Sequence, residues 1–150
     1  MEKELSNKIK NFSNFKEYKV RELVQDAEKF GPYLKNKRLE TNQIRKFLDA
    51  INRVKTTLSQ IDIDANNTQQ AERKDEPKKL AEQAKFDYVE ADIVLLKPKL
   101  AYAAARQNSA QPLSDVMSVA IDKVRSVQDF ERLVQFIEAI IAYHKAAGGK

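Results

Sequence analysis

A single histidine, His144, and a complete absence of cysteine set narrow limits on the covalent and metal chemistry open to this 150-residue chain. One imidazole without thiolates does not make an ordinary zinc site, and it leaves no Ser-His-Asp or Cys-His arrangement that needs a second histidine. The three glycines, Gly31, Gly148 and Gly149, do not form a phosphate-cradling loop. Carboxylates do cluster, at Asp62/Asp64, Glu72/Asp75/Glu76 and Asp87/Glu90, and such groups hold Mg²⁺ in two-metal nucleases. Most of them fall in or beside a polar stretch that offers no rigid element to fix ligand geometry, so they read as a solvated acidic segment. No catalytic residue, metal or cofactor is expected. His144 falls on the apolar side of its helix and is expected to be packed there or to lie at its rim.

The basic residues form a more useful pattern. Lys35, Lys37 and Arg38 precede a strongly amphipathic segment, on which Arg45, Lys46 and Arg53, with Asp49 and Asn52, lie opposite an apolar stripe of Ile44, Phe47, Leu48, Ile51 and Val54. Cations and amide donors spaced over one or two helical turns suit phosphates better than base edges. A second cluster, Lys97, Lys99, Tyr102 and Arg106, places a phenol beside cations next to Pro98, as proteins that track single strands do. The plain structural alternative for Tyr102 is a core aromatic, and for the charges a solubilising surface.

Helices must position these groups. With 3 Gly, 4 Pro and apolar runs at helical spacing, the class is all-α, a compact bundle of five to six helices in a single domain over 1–150. The first helix is expected over Tyr18–Phe30, stopped by Gly31-Pro32, and the next starts at a Thr41 or Asn42 cap and runs through Leu58. The stretch 62–79, DIDANNTQQAERKDEPKK, has almost nothing to bury and reads as a mobile polar loop or a frayed extension of its neighbours. Leu80–Arg106 is apolar nearly all round, predicting a helix buried on several sides and kinked or split after Lys97 by Pro98. A helix opening at Gln111-Pro112 turns Leu113, Val116, Met117, Ala120, Ile121 and Val124 inward. The last helix follows the capping-box spacing of Ser126 to Asp129.

The formal net charge is +5, carried mainly by residues 1–60, which hold 14 Lys/Arg against 8 Asp/Glu. A basic patch is the electrostatic footprint of nucleic-acid binding, because neutralised phosphates release counterions. No apolar stretch reaches the roughly 20 residues of a membrane span. With neither cysteine nor an apolar secretory segment after Met1, a cytoplasmic location is expected.

At Lys35–Lys46 (KNKRLETNQIRK), Lys97–Arg106 (KPKLAYAAAR) and Phe136–Lys145 (FIEAIIAYHK) the chain resembles the small helical subunit of type III-A CRISPR effector complexes, the Csm small-subunit family. The resemblance implies a non-catalytic subunit in antiviral defence. Such a subunit stacks in several copies along the complex beside the guide-bearing backbone, partnered by CRISPR guide RNA, target RNA and the other subunits. It further implies that Arg45, Lys46, Lys97, Lys99 and Arg106 face RNA. The competing expectation is a helical protein-interaction adaptor with a basic surface and no RNA role.

Overall fold

The computed structural model describes residues 1–68 and 78–150, with side chains described outside 63–81. The elements run α1 Glu2–Lys10, a 3-10 turn Phe15–Glu17, α2 Val20–Asn36, α3 Thr41–Thr68, α4 Lys78–Val94, α5 Leu96–Arg106, a 3-10 turn Asn108–Ala110, α6 Gln111–Asp122 and α7 Val127–Ala146. The class is all-α, and no strand occurs among the described residues. The helices expected from periodicity are all present, and α1 adds a short one built on Leu5 and Ile9.

α7 is the centre of the bundle. α2, α3, α4 and the first 3-10 turn pack on it, while α6 carries α1 and α5. Phe130, Leu133, Phe136, Ile137 and Ile140 of α7 are all buried at i, i+3, i+4 spacing, and Leu113, Val116, Met117, Ala120 and Ile121 of α6 likewise. Ser126 Oγ accepts from Asp129 N at 3.1 Å, closing the α7 cap as the spacing predicts. The Asp129 carboxylate is itself buried and accepts from Lys16 N at 2.7 Å and Arg125 N at 2.9 Å, tying the 3-10 turn to α7.

The structure revises four local expectations. Gly31-Pro32 does not stop α2, which continues to Asn36. A Cβ added at Gly31 would lie 2.6 Å from His144 N and 2.9 Å from Ile140 O, so this glycine marks the contact where α2 and α7 backbones nearly touch. Burial of Phe30 and Leu34 on either side keeps the chain helical despite the bond lost at Pro32. α2 ends instead in a Schellman motif. Leu39 N donates to Leu34 O and Arg38 N to Lys35 O, with Arg38 at a left-handed φ of 69° where glycine is the usual choice.

The second revision concerns the start of α3. Thr41 is its first residue, and the Thr41 hydroxyl faces His144 Nδ1 at 3.4 Å. Of the packed and rim positions open to it on the apolar side, His144 takes the packed one and is fully buried, and its Nε2 lies 2.6 Å from Leu39 O. A carbonyl only accepts, so Nε2 donates to Leu39 O. The imidazole is a staple between the end of α7 and the α2–α3 connection.

The third revision moves the break before Pro98 to Leu95. Pro98 lacks an N–H and clashes with the carbonyl four residues back, which belongs to Val94, the last residue of α4. As the third residue of α5 it occupies a first-turn position where no intrahelical donor is needed. Fourth, 62–68 continue α3 and 78–79 open α4, while 69–77 of the expected polar loop lie outside the described residues. Lys85 Nζ to Asp62 Oδ1 at 2.6 Å and Gln128 Nε2 to Glu82 Oε2 at 2.6 Å fasten α4 to α3 and α7.

Candidate nucleic-acid interface

α3 presents Gln43, Lys46, Ala50 and Arg53 along one flank, since a step of three or four residues returns to the same side of a helix. α5 packs beside that flank. Two adjoining clefts lie between them. The inner one, of about 220 Å³, has an apolar floor of Phe47, Leu96 and Leu100 with Lys46 and Lys99 among its walls. The outer one, of about 290 Å³, is lined by Gln43, Lys46, Tyr102, Arg106 and Gln107. Lys46 belongs to both, so the fold joins two basic clusters that are about 50 residues apart in sequence.

Tyr102 is 66% exposed, so it is not a core aromatic. Arg106 holds its guanidinium 5.8 Å from the Tyr102 ring centroid, a cation–π geometry. Among the described residues Lys46, Lys99 and Arg106 have no carboxylate partner. Lys97 is different. Its Nζ lies 2.5 Å from Asp122 Oδ1 on α6, so its charge is already answered, and it lines neither cleft.

The remaining basic residues named from sequence lie elsewhere. Lys35 and Arg38 line a shallow depression with Leu39, Glu40, Gly148 and Lys150, at the start of α3 and the end of the chain. Lys37 Nζ sits 5.5 Å over the Tyr33 ring. Arg45 and Arg53 are exposed; Arg53 shares the Lys46 flank, whereas Arg45 is turned about 100° away from it. Gln43 and Gln107 were not singled out from the sequence. Gln43 stands three residues before Lys46, and that i, i+3 relation was the available signal.

A further charged cluster lies outside these clefts. Lys8 Nζ lies 2.8 Å from Asp26 Oδ2, and the Tyr18 hydroxyl donates to the same carboxylate. Burial, then the hydrogen bond to Asp26, pushes the Tyr18 phenol far up, and the hydrogen bond to Asp26 raises Lys8. Lys8 and Asp26 line a small depression with Leu5 and Lys29, and the trio joins α1 to α2. Asp87 and Glu90 are exposed on α4, with Asp87 accepting from Gln83 at 2.9 Å. Among the described residues no three His, Cys, Asp or Glu side chains converge on a point. No described helix is long and apolar enough to cross a membrane.

Compared with known families, residues 17–150 match the family model described as Csm2 Type III-A. No match was found among curated proteins or solved structures.

Proposed function

The chain belongs to the Csm2 Type III-A family, and from that premise we propose that it holds RNA by its phosphate backbone inside the complex. Membership makes it a subunit of a type III-A CRISPR effector complex, working with the other subunits of that assembly. The proposal adds the RNA surface. It is centred on the α3–α5 clefts, with Lys46, Lys99 and Arg106 meeting phosphates and Tyr102 stacking on a base. Arg53 extends the surface along α3. Lys35, Lys37, Arg38 and Arg45 add outlying positive charge, and Lys97 serves as a structural ion-pair partner.

One observation carries this reading: three exposed cations, without carboxylate partners among the described residues, line two adjoining clefts together with a solvent-facing phenol. Cations already paired with carboxylates would release few counterions on binding, whereas these three are available to do so. A base can stack on an exposed tyrosine without regard to its identity, which gives a sequence-tolerant grip on guide or target strands. The role is structural and non-catalytic. Copies stacking along the complex would place such grips at intervals on the duplex.

The apolar floor of the inner cleft favours a second reading, a helical adaptor that takes a partner's side chain there and has no RNA role. Titration of the full chain with mixed-sequence single-stranded RNA at a series of salt concentrations separates the two. Backbone holding gives affinity that falls linearly in log–log form and is indifferent to sequence. Binding that is undetectable, or flat with salt, overturns the RNA reading and leaves the adaptor.

A further inference from the structure

The inner cleft is walled by two matching helical runs. α3 supplies Gln43, then Lys46 and Phe47, then Ala50; α5 supplies Leu96, then Lys99 and Leu100, then Ala103. Steps of three and four residues keep each run on one side of its helix. Phe47, Leu96 and Leu100 are buried, Ala50 and Ala103 half-buried, and Lys46 and Lys99 exposed, so the lining passes from apolar to charged as it approaches solvent. The two alanines end at Cβ, which leaves a slot between the helices. At about 220 Å³ it is smaller than the roughly 300–1,000 Å³ of pockets for drug-sized ligands, and it suits a single ring system.

The polar groups of the lining narrow the choice of occupant. Gln43 is half-buried, and its side-chain amide makes no hydrogen bond among the described residues. An amide carries two donors and an acceptor, and turning it over exchanges their places, so it can pair with the edge of any base. A partner's aliphatic side chain would fill the slot and give that amide nothing. Charge adds a second restriction, because each helix contributes one lysine. A fatty acid brings its charge at one end, whereas a nucleotide within a strand has a phosphate on either side of its base.

We propose that the inner cleft takes one unstacked nucleobase of an RNA strand. Phe47, Leu96 and Leu100 lie beneath the ring, Gln43 meets its edge, and Lys46 and Lys99 meet the two flanking phosphates. The inference rests on the RNA reading and deepens it from phosphate holding to a base subsite. Gln43, Lys46 and Ala103 line both clefts, so the two sites are continuous. One base stacks on Tyr102 in the outer cleft, the next enters the inner one, and Lys46 sits at the phosphate between them. A base within a duplex must first be unpaired and unstacked, at a cost that a single strand does not bear, so the subsite favours unpaired nucleotides.

The test compares a short single-stranded RNA with an abasic oligomer of equal length and phosphate count, each titrated against the full chain at several salt concentrations. Tyr102→Ala is the starting variant, so that stacking in the outer cleft drops out. It is expected to bind the base-bearing strand about tenfold more tightly than the abasic one, the scale of one base contact. Ala50 lines the inner cleft and not the outer one. Adding Ala50→Leu is expected to erase that preference while leaving the salt slope as it was. Ala50→Met, longer and more flexible, is expected to do the same, and circular dichroism checks that each variant folds. If the parent binds neither oligomer, or binds without salt dependence, the RNA reading fails and the subsite with it. If the salt slope is present but the preference is absent from the start, or survives both Ala50 substitutions, the subsite alone is overturned. An Ala50→Leu chain that keeps the preference but no longer joins the other subunits assigns the cleft to a partner's side chain and overturns the proposal equally.

Discussion

Replacing Lys46, Lys99 and Arg106 together by alanine tests the α3–α5 clefts most directly, with Lys97→Ala as the matched comparison. Each phosphate contact on a single strand contributes about 0.7 to the slope of log affinity against log salt, so losing three lowers the slope by about 2.1. Measured from a 1 M reference to roughly 0.15 M salt, that difference corresponds to about 50-fold weaker binding. Folding should change much less. Lys46 and Lys99 are exposed and each is worth no more than about 0.5 kcal/mol. Arg106 forfeits its place over Tyr102 and its favourable position in the last turn of α5, together about 1 kcal/mol. Lys97→Ala removes an exposed ion pair worth at most about 1 kcal/mol and should leave the slope as it was. Fluorescence anisotropy of a labelled single-stranded RNA at several salt concentrations gives both slopes, and circular dichroism checks folding. A folded triple variant with the parental slope would refute the reasoning, as would a Lys97→Ala variant that loses as much slope as the triple.

Three further perturbations check the scaffold. Gly31→Ala forces a methyl to within 2.6 Å of the α7 backbone, where no flexible side chain can give way, and should cost about 2–3 kcal/mol despite alanine's better helix propensity; urea unfolding with no loss of stability would show that the helices can separate freely. Arg38→Gly relieves a left-handed residue at the end of α2 and should stabilise by about 1 kcal/mol, read as a rise of a few degrees in Tm; an unchanged or lower Tm counts against strain there. The Tyr18 phenol is raised above its ordinary value of 10.0 and Lys8 above 10.5, so the folded state keeps protons that the unfolded chain releases. Their stabilisation is therefore full below about pH 10 and is lost as pH rises further. Tm measured from pH 9 to 11 should fall, and fall less steeply in Tyr18→Phe; parallel slopes would exclude Tyr18 as a source.

Where apolar spacing and a local cap agree, the sequence is enough, and α6 and α7 follow directly from their inward residues and from Ser126. Local punctuation misleads where packing outweighs it. Gly31-Pro32 looks like a helix end because both residues usually are, yet this glycine is there to let α7 approach, a fact that depends on residues more than 100 positions away. α4 and α5 show a different limit. A helix that is apolar all round reads as buried all round, but the pattern does not say which chain does the burying, and here this chain covers only one side. The same reasoning applies to charge. Lys97 and Lys99 stand two residues apart, roughly 200° around one helix. Only one meets Asp122, and nothing local to either lysine signals an acid 25 residues on. The sequence therefore counts cations correctly, but the number that can answer a phosphate is what remains after the fold has spent some on its own carboxylates.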